Sequence, residues 1–154
     1  MLIDDRLFRN AMGKFATGVT VITTEVDGKP HGMTANAFMS VSLNPKLVLV
    51  SISVNAKMHG RIKQSKRYAV NVLSDQQQHI SELFAGQKKS GIEIQFDTFD
   101  NLPVLKDAIA TITCNVAGEH LAGDHTLFIG EVTDIRINDG DPLLFYRGKY
   151  HQLR

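Results

Sequence analysis

The sequence predicts a mainly β fold, a closed or nearly closed antiparallel barrel with α-helices at its periphery. Three observations point there. At least six segments between residues 18 and 146 are rich in Val, Ile and Thr or alternate apolar with polar residues, as strands do. Few segments repeat apolar residues at helical spacing. Strands and helices do not alternate regularly, which argues against a doubly wound sheet and for a barrel whose edges are closed off.

The first element reads as a helix. Asp4 or Asp5 can cap it, and Phe8, Ala11, Met12 and Phe15 recur on one face. Thr17-Gly18 ends it, and Gly18 to Val26 reads as a strand reversing at the hairpin signal Asp27-Gly28. A second, irregular strand is expected through His31 to Ser42, broken by Asn44-Pro45, and a third from Lys46 to Val54. In that third strand Ile52 and Val54 share one face, Ser51 and Ser53 the other. A short helix follows around Lys57 to Gln64, then a strand at Tyr68 to Leu73. Ser74 and Gln77 form an S-x-x-Q capping pattern ahead of a helix whose buried stripe is Ile80, Leu83 and Phe84. Gly86 to Pro103 is weakly patterned and reads as a long surface loop. Two long strands follow: Ile112, Cys114 and Val116 alternate in the first, which makes Cys114 a buried thiol. In the second, Leu127 to Ile137, the parity change between Val132 and Ile135 signals a bulge. Leu143 to Tyr146 is a last strand.

The 154 residues have the length of one domain, expected over 1–154, and neither a repeat nor a composition shift divides them. With 17 basic and 16 acidic side chains, the net charge of +1 leaves no electrostatic footprint for nucleic acid or an anionic membrane. The longest apolar run, Leu47 to Val50, is far too short to cross a bilayer, and Asp4 and Asp5 sit where a secretory signal has bases. A single cysteine excludes an internal disulfide or a Cys-rich zinc site, and a cytoplasmic setting is expected. No G-x-G-x-x-G or G-x-x-x-x-G-K-[ST] occurs, so a dinucleotide would not sit in a Rossmann crevice. Glu119, His120, Asp124 and His125 match no standard metal-ligand spacing.

Four segments carry a resemblance. FRNAMGKFATGVTVITT (Phe8 to Thr24) and GMTANAFMSVSLNPKLVLVSI (Gly32 to Ile52) resemble the N-terminal motifs of the short-chain flavin reductases. GDHTLFIGEV (Gly123 to Val132) and PLLFYRGKYHQL (Pro142 to Leu153) resemble their C-terminal motifs. The order is right and nearly the whole chain is covered, most closely in the style of reductase components of two-component phenol and 4-hydroxyphenylacetate hydroxylases. The resemblance implies an FMN-binding split β-barrel working as a homodimer. It also implies NADH-dependent reduction of FAD or FMN, with the reduced flavin passing to a partner monooxygenase.

It further implies site residues. Thr34, Ala35, Asn36 and Ala37 would lie along the flavin, where small side chains let backbone approach a planar ring and Asn and Thr supply directed hydrogen bonds. Ser40, Val41 and Ser42 would present backbone groups to the pyrimidine edge, where reduction develops negative charge. Ser51, Ser53 and Lys57 suit a flavin phosphate, although the family motif usually has Ser where this chain has Ala37. His125 would stand near nicotinamide and flavin as a positioning donor, and Tyr150 would contact ligand. Phe84 stays with the core. Two other readings compete: a flavin-binding or electron-transfer barrel without reductase activity, and a barrel for single-stranded nucleic acid, which the charge balance and absence of Trp disfavour.

Overall fold

The computed structural model describes residues 2–86 and 93–154. Helix α1 (Asp5–Gly13) is capped by Asp4, whose carboxylate accepts from Arg6 N–H at 2.6 Å and Leu7 N–H at 3.4 Å. After the short β1 (Thr17–Gly18) come β2 (Thr20–Val26) and β3 (Lys29–Ala35), joined by Asp27 and Gly28 at φ 52° and 76°. Two successive positive φ values make the tight hairpin turn whose twist matches its strands. β4 (Phe38–Leu43) and β5 (Lys46–Ser53) pair next, followed by α2 (Lys57–Ser65) and β6 (Arg67–Val72). α3 (Gln78–Phe84), the β7 (Asp97–Phe99) and β8 (Leu102–Val104) hairpin, the long β9 (Ala110–Ala122) and β10 (His125–Ile137), β11 (Leu143–Tyr146) and β12 (Lys149–Gln152) complete the chain.

Seven strands form one antiparallel sheet in the order β3-β2-β6-β9-β10-β5-β4. Its two edges, β3 and β4, are separated in the chain only by Asn36 and Ala37. Laid flat at ~4.8 Å per strand, those edges would stand about 29 Å apart. The chain from Ala35 to Phe38 reaches at most about 11 Å. The sheet must therefore curl until its edges meet, and no ladder joins them among the described residues. The result is a barrel split along one seam, with Asn36-Ala37 in the seam.

Several expectations change here: α1 ends at Gly13, short of Thr17-Gly18, and β12 follows the strand expected to be the last. The single strand expected through His31 to Ser42 is two strands on opposite edges of the sheet. The surface loop expected from Gly86 to Pro103 contains the β7–β8 hairpin; its first part, residues 87–92, lies outside the described residues. Asp100 and Asn101 turn the hairpin at φ 52° and 62°. Asp100 is anchored by the Thr133 and Thr113 hydroxyls and by Arg67, contacts that hold its carboxyl below the usual carboxylate range. The Ser74–Gln77 pair closes a turn before α3 and does not cap it: Gln77 Oε1 accepts from Ser74 N–H at 2.9 Å, while the helix begins at Gln78.

The core explains the apolar patterns. Ile22, Val50, Ile52, Tyr68, Cys114 and Phe128 fill the barrel, with Met58 and Ile62 added from α2. A second cluster, Val21, Leu73, Leu105 and Leu143 with Phe84 and Phe145 packed on it, lies on the other face of β2. β2 is thus buried on both faces, which is why Thr20 to Thr24 show no polar alternation. The bulge falls where parity changed, between Val132 and Asp134. Among the described residues no helix is long and apolar enough to cross a membrane.

Candidate active site

The seam opens onto a cleft. Ala37 C=O accepts from Ser51 N–H at 3.0 Å and Thr20 Oγ1 donates to Ala35 C=O at 2.6 Å, so the crossing is tied to strands on both sides. A cavity of about 690 Å³ lies against it, lined by Asn36, Ala37 and Ser51 together with Met12, Phe15, Thr17, Phe38, Met39 and Leu49. That volume is in the range of small-molecule sites, and the walls have their usual character, mostly apolar with a few directed polar groups. Thr17 Oγ1 is buried yet has no hydrogen-bond partner among the described residues, so it fits a ligand that can bond to it. Behind Asn36 is a smaller chamber of about 130 Å³, which Thr34, Ala35 and Tyr150 also line.

The sequence-derived residues divide accordingly. Asn36, Ala37 and Ser51 share the cleft. Thr34 and Tyr150 face the chamber, but their hydroxyls are engaged with α3: Thr34 Oγ1 donates to Ser81 C=O at 2.6 Å, and Tyr150 OH lies 2.7 Å from Ser81 Oγ. They shape the wall more than they offer free donors. Ser40, Val41 and Ser42 line neither space, and β4 shifts register against β5 between Ser40 and Ser42.

Ser53 is the next residue on the Ser51 face, about 7 Å along the strand. Its Oγ accepts from Asn55 N–H at 3.2 Å in the turn that enters α2. The N-cap of α2 is Ala56, which has no side chain to offer the first-turn N–H groups, and Lys57 stands exposed beside them. An uncapped helix start next to a hydroxyl and an ammonium suits a phosphate in charge and geometry. His125 pairs directly with Ser53 across β5 and β10. It therefore sits one pleat repeat beyond Leu127, the partner of Ser51, at the phosphate-facing end and outside the lining of the cleft. Its Nδ1 is 2.8 Å from Asp124 Oδ1, and that bond holds the Asp124 carboxyl below its usual range.

Met12, Phe15 and Thr17 are the residues that reading the sequence missed. The first two look like part of a buried helix stripe, but α1 ends at Gly13 and buries nothing: Phe8 and Met12 on it are 57% and 55% exposed, and Phe15 beyond its end is 77% exposed. Phe84 does pack inward, with its ring against Gly32, where an added Cβ would lie 2.7 Å from it.

A split antiparallel barrel with an apolar cleft in its seam and an anion-suited helix start further along β5 has the form of a small-molecule-binding protein. The chain belongs to the family described as flavin reductase like domain, whose model matches residues 12–154. It is 44% identical over 148 residues to an NADH-dependent flavin reductase of a Rhodococcus species, covering 94% of this chain and 84% of that one. It is 33% identical over 147 residues to the reductase component of 4-hydroxyphenylacetate 3-monooxygenase of Thermus thermophilus, covering 95% of each. Among solved structures it is similar to the flavin reductase PheA2 in its native state, at 68% identity and a TM-score of 0.97 over 99% of both chains.

Proposed function

We propose that this chain is an NADH-dependent flavin reductase, one domain over residues 1–154, that supplies reduced FAD or FMN to a separate monooxygenase component. The observation that supports the reading is the cleft in the seam, lined by Asn36, Ala37 and Ser51, with Ser53 further along the same strand and the uncapped α2 following it in the chain. The names of the similar proteins support both the donor and the partner class. The setting we propose is cytoplasmic, in keeping with a single buried cysteine and no disulfide.

Bound flavin supplies a ring that accepts a hydride from the nicotinamide; the protein's work is binding and orientation. Ala35 and Ala37 let backbone approach the ring, while the Asn36 amide and Ser51 fix its edge. Ser40, Val41 and Ser42 lie beyond the lined cleft and act through strand β4, which delivers Phe38 and Met39 to its wall. Ser53, Lys57 and the α2 N–H groups hold the phosphate. Asp124 orients the His125 ring, which stands opposite Ser53 beside the phosphate and reaches back from there toward the flavin ring. Tyr150 closes the chamber behind Asn36.

The test is steady-state oxidation of NADH and NADPH with FAD, FMN or riboflavin added separately. NADH consumption that depends on added FAD or FMN is expected. Tight stoichiometric flavin with no NADH oxidation would favour the electron-transfer reading instead.

The working unit we propose is a homodimer. Leu7 and Phe8 on α1 and Leu43 on edge strand β4 are exposed apolar side chains that do not line the seam cleft. A second copy is their simplest cover. Sedimentation equilibrium should give twice the chain mass at micromolar concentration; a monomer at high concentration would count against the dimer.

A further inference from the structure

The cleft continues past its apolar part, between α1 and the turn joining β11 to β12. Met12, Phe15 and Asn36 also line a neighbouring recess of about 330 Å³. That recess shares Arg9, Gly13 and Arg147 with a third space of about 450 Å³. Arg9, Lys14 and Arg147 all line this last space and no acidic side chain does. None of the three is in an ion pair among the described residues. The walls are fixed to each other, since Arg147 N–H donates to Gly13 C=O at 3.0 Å.

Charge at the end of α1 accounts for Lys14, which faces the negative pole of the helix. It does not account for Arg147, which comes from another element. Arg147 and Gly148 form the turn at φ 52° and 77°.

We infer that this basic end of the groove is a subsite for the diphosphate of a dinucleotide. The inference rests on reading the seam cleft as a flavin reductase site. A planar ring would occupy the apolar part, and the diphosphate would lie over guanidinium groups whose fork geometry matches phosphate oxygens. The flavin phosphate leaves the cleft the other way, through Ser51 and Ser53 toward α2. The basic end therefore falls to the second substrate, NADH.

Steady-state kinetics on the full chain test it, with Arg9→Gln, Arg147→Gln and the double substitution. Both side chains are exposed, so the fold should tolerate them. Riboflavin is the first acceptor because it carries no phosphate. In the double variant the KM for NADH should rise about tenfold or more, and the KM for riboflavin should move by less than about twofold. Arg147→Lys should recover part of the loss, keeping the charge without the fork. Added salt should raise the KM for NADH in the unsubstituted chain more than in the double variant. A constant for FAD that rises relative to FMN while that for NADH stays overturns the assignment to NADH, together with the path given to the flavin phosphate. Constants for NADH, FAD and FMN that all stay within about twofold overturn the subsite. An unsubstituted chain that oxidises no NADH with any flavin overturns the reductase reading, and the subsite with it.

Discussion

His125→Ala is expected to slow flavin reduction by roughly ten- to a hundredfold while leaving flavin affinity nearly intact. A histidine that helps place the nicotinamide and balances the charge developing on the reduced ring makes a charge-assisted bond worth about 1.5–3 kcal/mol. At about 1.36 kcal/mol per factor of ten, that gives the range stated. The fold should not suffer. The His125 side chain is 43% exposed, its described hydrogen bond is to the neighbouring Asp124, and the adjacent Thr126 supplies the buried contact of the strand. Asp124→Asn should give a smaller loss of the same kind, because it removes the group that orients the ring. Stopped-flow reduction at saturating NADH, with flavin binding measured in parallel, separates the two quantities. An unchanged reduction rate in a folded variant would leave His125 as a turn residue only.

The second large effect is on stability. Gly130→Ala places a methyl in the middle of the barrel, where the new Cβ would meet Cys114 Sγ, with Tyr68 OH at 2.8 Å and Cys114 Cβ at 2.9 Å. None of these can step aside. Tyr68 and Cys114 are fully buried, Tyr68 OH donates to Phe128 C=O at 2.9 Å, and Cys114 Sγ donates to Tyr68 C=O. Overpacking of this kind costs about 1–3 kcal/mol, and displacing the buried hydroxyl adds about 1 kcal/mol. The midpoint of urea unfolding should fall by the equivalent of about 2–4 kcal/mol at unchanged m-value. Adding Cys114→Ala should restore part of that loss by making room. No fall in midpoint for Gly130→Ala would show that the barrel interior is looser than these contacts imply. Burial that leaves no room for a methyl also pushes the Cys114 thiol up to about 12, so it is a packing group and not a reactive one.

Where the sequence was legible, the signal was local. Asp4 caps α1, Asp27-Gly28 turns the first hairpin, Cys114 lies inward on an alternating strand, and the parity change near Val132 is a bulge. Each needs only neighbours within a few residues. The Asp100-Asn101 turn was equally local, and its dipeptide is a recognisable turn signal, but the polar run before it hid the two short strands. Asn36, Ala37 and Ser51 were found through the motif resemblance and do meet at one cleft, whereas Ser40 to Ser42 were carried along by the same motif and do not.

The sequence by itself determined most of the strands, the first hairpin turn, the cap of α1 and the family, because periodicity, special-φ residues and ordered motifs are properties of contiguous chain. Tertiary structure alone decided that β3 and β4 take opposite edges and meet at a two-residue seam, because pairing is chosen by distant partners and closure. It also decided which face of α1 stays uncovered. A stripe at helical spacing says that a helix has an apolar side, and only packing says whether the same chain buries it. In this chain Met12 and Phe15 turn away from the core and form one wall of the cleft.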